Sequence, residues 1–579
     1  MTLLSPRRLR SVNVPLALVL ALVLAVSLAW WARGRGLKTR AAHLFGGEPA
    51  KAPLAPVALE IKPGDGEGDV RPDITIEARI KWPGTAVDQQ TLLAGNIALF
   101  QTSDRSPVPV TLSKRSGGKY IVVKPTTRLA GNTRYTLSVN NRVKDVTGKP
   151  IANHSSTFTT GTLAEPSLRF EQVALPTATG TGFTAVVMGP DQKLYAGADD
   201  GRIFRFEIGA DGMLAAPQLL PALQRGGKVP RLLTGFCFDP SSTPGKLIVW
   251  ASHGHYGFDS PPDFSGIISR LSGRDLEVVE DVVVGLPRSV KDHVNNQPVI
   301  GPDGALYWPQ PSNSAYGAPD EIWGNRPERG LTATILRLDL TKVTPGKPID
   351  AKTKDGGGNY DPFAPGAPVT IYAYGVRLAY DLLWASNGQL YAPVNGSSAG
   401  GNTPSGGTAA PLRDIKFAED DWFFRIVPGK YYGHPNPLHG YFVLNGGNPT
   451  SGYDVGEFPE YPVGTKPDPR WQPPAHNFGQ HISPNGIIEY RGGAFGGKLK
   501  GMLMVCRYNG GSDIIGLKLD PEGNVGSTIV GIEGFTGLAS PLDLVEDTRS
   551  GNIYISEYGA QKLTLLRPAR ANPRMADSR

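Results

Sequence analysis

Two cysteines in 579 residues, Cys237 and Cys506, are too few for a disulfide framework, and they form no C-x-x-C pair of the kind that holds zinc. A single bridge or two buried thiols both remain open. Acidic side chains are absent from the first forty residues, where Arg7, Arg8, Arg10, Arg33, Arg35, Lys38 and Arg40 equal the whole formal charge of +7. Everything beyond them is neutral overall, which argues against a general phosphate-binding surface and against nucleic acid as a partner. Long apolar runs are scarce too. One uncharged stretch, Val14 to Trp31 within NVPLALVLALVLAVSLAWW, is about long enough to cross a bilayer as a helix. Trp30 and Trp31 suit a membrane interface, while Ser27 and Ala29 also offer a signal-cleavage arrangement. The expectation is one N-terminal transmembrane helix that anchors the rest on the periplasmic or extracellular face, with secretion after cleavage as the alternative.

What the chain has in plenty is turn formers, 72 Gly and 52 Pro, more than helical bundles need. Its length predicts about two to four domains. After a spacer at 41–56, DITIEARIKW alternates Ile74, Ile76, Ala78, Ile80 and Trp82 against Thr75, Glu77, Arg79 and Lys81, the period of a half-buried strand. Short strands with Gly/Pro turns continue to Gly161 and predict a β-sandwich over 57–161. Its closing half, RLAGNTRYTLSVNNRVKDVTGKPIANHSSTFTTG, resembles a bacterial Ig-like domain, which implies a spacer or adhesion module.

From Leu168 one phrase recurs. VVMGPDQKLYAGADDGRIFRFEI reads as strand, Gly-Pro-Asp turn, strand, Asp-Gly turn, strand. Versions of it follow as GFCFDPSSTPGKLIVWASHG, PVIGPDGALYWPQPS, LLWASNGQLYAPVNG, GKLKGMLMVCRYNGGSDIIGLKLD and DLVEDTRSGNIYISEYGAQKLTLL. Six versions predict a six-bladed β-propeller over 165–568, followed by a tail at 569–579. The fold class expected is therefore all-β: a propeller, an N-terminal Ig-like sandwich and a single transmembrane helix within 1–40.

Four phrases in order, HVNNQPVIGPDGALYW, YGVRLAYDLLWASNGQLYAPVNG, DDWFFRIVPGKYYGHP and SPNGIIEYRGGAFGGKLKGMLMV, resemble the soluble quinoprotein glucose dehydrogenase and sorbosone dehydrogenase family. The resemblance implies a site at one mouth of the propeller, where pyrroloquinoline quinone (PQQ) takes hydride from a sugar, calcium polarises the quinone and a histidine takes the proton. Carried over by position, His293 is the catalytic base and Arg377 faces the quinone. Asp421 opens the acidic phrase, Arg507 or Tyr508 takes part of the role of the family's cofactor-binding lysine, and Gly396 and Ser397 lend carbonyl oxygens to calcium. The departures are specific. Leu378 replaces an asparagine, Ser312 falls where an acid orients the histidine, and Ser540 and Leu542 fall where two arginines meet the cofactor's carboxylates. A non-catalytic propeller that binds a glycan or a protein at the same mouth is the alternative function.

Other candidates carry less. The histidine pairs His253/His255, His434/His439 and His476/His481 lie in Gly/Pro-rich loops, where hydrogen bonding is commoner than metal ligation. Asn295 and Asn296 suit a sugar or a turn. Trp308, Trp323, Tyr374 and Trp422 suit sugar platforms or inter-blade packing. GSSAG at 396–400 meets the nucleophile-elbow formula but leads into a Gly/Ser/Thr-rich loop rather than a helix, so it is no elbow; that loop reads as an insertion at the propeller mouth.

Overall fold

The computed structural model describes residues 59–73, 75–80, 85–220, 222–224, 230–451 and 454–569. The predicted membrane span at 14–31, the spacer at 41–56 and nearly all of the tail lie outside them. Among the described residues, no helix is long and apolar enough to cross a membrane. The described residues are all-β, with short 3₁₀ turns in place of helices.

The smaller domain has two sheets. One orders its strands Leu59–Lys62, Ile76–Ile80, Tyr120–Pro125 and Val110–Arg115; the other orders Glu67–Val70, His154–Thr160, Arg134–Val139, Ile97–Gln101 and Pro107–Val108. Alternation builds the core between them: Ile76 and Ala78 are buried on the inner face, as the period-two pattern predicts, together with Leu99, Leu137 and Phe158.

The larger domain has six sheets, and each recurrent phrase falls in a different one. Phe183–Met188, Leu194–Ala198 and Ile203–Phe206 form an antiparallel run in the first, turning at Gly189–Lys193 and again at Asp200-Gly201, where Gly201 takes a φ of +87°. Successive sheets share hydrophobic clusters. Leu233 and Phe236 of the second sheet join Tyr195 of the first, and Trp308 of the third joins Trp250 of the second. Phe424 of the fourth joins Tyr307 of the third, and Ile515 of the fifth joins Tyr391 of the fourth. Ile553 of the sixth joins Met504 of the fifth, and Tyr554 of the sixth packs on Phe183 of the first, so the circuit of sheets closes. The sixth sheet is built from both ends of the domain: Pro541–Asp547, Asn552–Glu557 and Lys562–Pro568 are completed by Phe170–Thr179, antiparallel to Lys562–Pro568. Cys237 and Cys506 are free thiols, so no bridge forms.

The two domains are docked. Thr162–Leu163 runs parallel to Ile529–Val530 at the edge of the fifth sheet. Glu67–Val70 lies against His476–Gln480 of the fourth, where His476 Nε2 meets Asp69 at 2.8 Å. Gly68 allows this approach, because a Cβ there would stand 2.5 Å from the carbonyl oxygen of Asn477. Gly68→Ala is therefore expected to cost about 1–3 kcal/mol of docking and to split urea unfolding of the whole chain into two transitions; a single transition at the wild-type midpoint would refute the contact.

Candidate functional site

Of the residues singled out in the sequence, His293, Arg377, Gly396 and Ser397 occupy loops of the third and fourth sheets, while Asp421 lies in the strand Asp420–Ile426 and Arg507 ends a strand of the fifth sheet. His293 precedes the strand Val299–Ile300, Arg377 lies between Val369–Tyr374 and Leu383–Trp384, and Gly396 and Ser397 follow Leu390–Val394. The structure brings His293 and Arg377 together through Ser312, whose N–H donates to the Arg377 carbonyl at 2.9 Å. The Ser312 carbonyl lies 2.7 Å from His293 Nδ1, so Nδ1 carries the proton and Nε2 keeps the lone pair. This is the tautomer a general base needs.

Access is another matter. His293 is 2% exposed, and its ring lies 4.2 Å, centroid to centroid, from that of Trp323. Burial first, and then the nearby Arg377 cation, push its pKa down to about 4, so the ring is neutral at pH 7. Trp323 sits on a 3₁₀ turn whose N-cap, Asp320, accepts from the Trp323 N–H at 3.0 Å. Lys291 Nζ and the Arg377 guanidinium lie 5.2 and 5.8 Å from its ring centroid. Trp323 thus covers the site; Trp308 and Trp422 are buried in the cores between sheets.

Arg377 Nη1 donates to the carbonyls of Asn395 and Gly396 at 3.2 and 2.8 Å. The Ser397 carbonyl accepts from the Glu419 N–H at 2.7 Å and from the Tyr316 hydroxyl at 3.3 Å. Calcium at Gly396 and Ser397 would need those same oxygens. Asp421 accepts from the N–H groups of Gly396, Ile482 and Ser483, all at 2.7 Å, while burial pushes its pKa up to about 7. Gly396 is obligatory here, since a Cβ would meet the Asp420 carbonyl at 2.3 Å.

Arg507 does not join this group. Its guanidinium makes two 2.7 Å bonds to Asp513 and is further stabilised by Asp69 and Glu67 of the smaller domain. With Ser540 and Leu542 where arginines were expected and Arg507 committed to Asp513, the three carboxylates of PQQ would lack cationic partners. The residues in this arrangement do not fit the quinone and calcium.

Five histidines of the three pairs are hydrogen-bonded, His253 with Ser269, His255 with the Tyr256 carbonyl, His434 with Glu328, His439 with the Gly330 carbonyl and His476 with Asp69, and His481 lies in a turn at a φ of +58°. Among the described residues no group of three or more His, Cys, Asp or Glu could hold a metal. The Gly/Ser/Thr-rich loop is pinned where Thr403 is fully buried and Gly401 lies against Ala315, while Ser405, Gly406, Gly407 and Thr408 are exposed. Sequence reading missed Glu328, which accepts from the N–H groups of Asn313 and Ser314 and shapes the loop that presents Ser312. It carried no signal: one glutamate in a polar loop looks like any other.

Residues 53–160 match the family model of the bacterial Ig-like domain. No curated protein matches the chain. Among solved structures, the chain is similar to a glucose dehydrogenase-type oxidoreductase from Thermus thermophilus, with 19% identity, 69% of this chain and 99% of that one covered, and a TM-score of 0.41. The PQQ domain of pyranose dehydrogenase from Coprinopsis cinerea shows 12% identity, coverage of 70% and 98%, and a TM-score of 0.43. An auxiliary nutrient binding protein from Bacteroides thetaiotaomicron shows 13% identity, coverage of 89% and 98%, and a TM-score of 0.32. TM-scores below 0.5 carry no function from one chain to another.

Two outcomes follow from the site's electrostatics. His293 titrates near 4 when folded against an ordinary 6.5, so the stability it contributes is full above pH 6.5 and lost as pH falls toward 4. The gap in urea midpoint between wild type and His293→Gln is expected to narrow over that range; a constant gap would mean an exposed imidazole. Asp421→Asn turns an amide N–H against backbone donors and is expected to cost about 1–3 kcal/mol at pH 7, read from the same unfolding curves.

Proposed function

We propose that this chain is a non-catalytic recognition protein whose six sheets are the blades of a six-bladed β-propeller, tethered by its N-terminal span outside the cytoplasm. The closed circuit of six inter-sheet cores and the sixth sheet shared by both ends of the domain support the propeller. The observation that carries the functional reading is the Arg377 guanidinium held on the carbonyls of Asn395 and Gly396. A cation of the protein itself takes the Gly396 oxygen that a catalytic calcium would require, and Trp323 covers the histidine beside it. The loops then hold one another in place rather than reactants. The phrases shared with a sugar-acting family, on a body without the quinone's cationic partners, support a carbohydrate as the ligand.

One observation favours the other reading, a PQQ-dependent sugar dehydrogenase: the proton on His293 Nδ1 leaves Nε2 basic. Titration of the purified protein with PQQ and calcium, followed by dye reduction with a panel of aldoses, separates the two. The expected outcome is no saturable cofactor binding and no reduction. Sugar-dependent reduction that His293→Ala abolishes would overturn the recognition reading and establish the dehydrogenase.

A further inference from the structure

A cavity of about 370 Å³ lies where the sandwich meets the loops of the fourth sheet. Asp65 and Arg134 come to it from the sandwich; Glu419, Asp420 and Glu457 come from the larger domain. Four carboxylates against one guanidinium leave its walls three charges negative, which disfavours an anionic ligand and favours one that brings positive charge.

Each of the four carboxylates accepts at least one hydrogen bond from a neutral donor. Asp65 accepts from the Thr157 N–H and hydroxyl at 2.7 and 2.9 Å, and Glu419 from the Ser397 N–H and the Asn445 amide at 3.0 and 2.9 Å. Asp420 accepts from the Asn477 amide at 2.7 Å, and Glu457 shares the Thr450 hydroxyl, 3.2 Å away, with Asp454 at 2.8 Å. These bonds orient the oxygens, so the acceptors are preorganised before any ligand arrives. The rest of the wall is aromatic and amide-bearing. Phe417 is 51% exposed at the cavity, with Phe458 also lining it, and Gln480 contributes an amide. Aromatic faces attract cations and take the apolar face of a ring.

We propose that this cleft binds a cationic, hydroxyl-rich ligand: an amino sugar carrying a protonated amine, within a glycan. The ammonium offsets the acidic excess, the hydroxyls donate to the oriented carboxylates, and the sugar ring lies on Phe417. The proposal rests on the recognition reading and gives its carbohydrate a chemical class. It also gives the docked sandwich a part in binding, because Asp65 and Arg134 supply one wall.

The test is calorimetric titration of the full-length protein with a fully deacetylated β-1,4-linked glucosamine tetramer and with its N-acetylated counterpart. The expected result is saturable binding of the deacetylated tetramer, about ten-fold or more tighter than the acetylated one and weakened at about 0.5 M salt. Phe417→Ala and Asp65→Asn, both at exposed positions and checked for wild-type melting, are each expected to weaken it about ten-fold. Equal affinity for both tetramers, no binding of either, equally tight binding of tetralysine, or unchanged affinity in both variants would overturn the proposal. Dye reduction reports on the recognition reading separately, so failure of one is not failure of the other.

Discussion

Buried backbone N–H groups at the junctions between sheets need acceptors, and buried carboxylates supply them. Where one sheet hands over to the next, amides face a neighbour rather than a ladder partner, and leaving one unpaired costs about as much as a lost hydrogen bond. Asp543 of the sixth sheet accepts from the Val186 N–H of the first at 2.7 Å. Asp381, before the fourth, accepts from Ile487 of the fifth at 3.1 Å. At more exposed turns the same pairing recurs: Glu489 of the fifth accepts from the Ser386 N–H of the fourth at 2.8 Å, and Glu546 of the sixth from the N–H groups of Arg491 and Gly492 of the fifth at 2.7 Å each. Each bond ties two sheets at a fixed register. The tie is not free: burial raises the pKa of both Asp381 and Asp543, the signature of carboxylates removed from water.

The same device organises the loops above the third and fourth sheets. Asp421, Glu419 and Glu328 receive backbone amides from segments distant in the chain, and a small apolar cluster that includes Tyr316, Trp323, Ile415, Leu444 and Tyr461 fills the space among those segments. Side chains here hold backbone groups of neighbouring loops. Arg377 is the clearest case, since its guanidinium satisfies carbonyls of a loop that would otherwise present them to solvent or to an ion. Asp421 and Glu328 hold backbone N–H groups inside the larger domain, while Glu419 both accepts the Ser397 N–H and lines the inter-domain cleft.

Local signals in the sequence carried the strands well. Gly-Pro-Asp and Asp-Gly turns between apolar runs marked hairpins because φ, ψ and hydrogen bonding there depend on neighbouring residues only. The alternation of Ile76 and Ala78 with Glu77 and Arg79 marked the sandwich face for the same reason. Contacts between segments were less legible. Position placed His293 beside Arg377, but nothing local says that Trp323, thirty residues on, lies across the imidazole. Nor does a pattern at Arg507 show that Asp513, across a hairpin, has claimed its guanidinium. The inter-domain cleft was invisible, because Asp65 and Glu457 meet only after two domains dock.

Shared construction of the sixth sheet also sets an order of events during synthesis. Phe170–Thr179 finds its partner only when Lys562–Pro568 exists, about 400 residues later, which is about 20–80 s at ~5–20 residues per second. The sandwich strands are complete at Thr160 and are free of that delay. During the wait the early strand is an unpaired edge, the kind that recruits other chains. Its sequence, FEQVALPTAT, carries a charge at Glu171 and a proline at Pro176, two features that discourage an intruding strand while leaving the proper one room to arrive last.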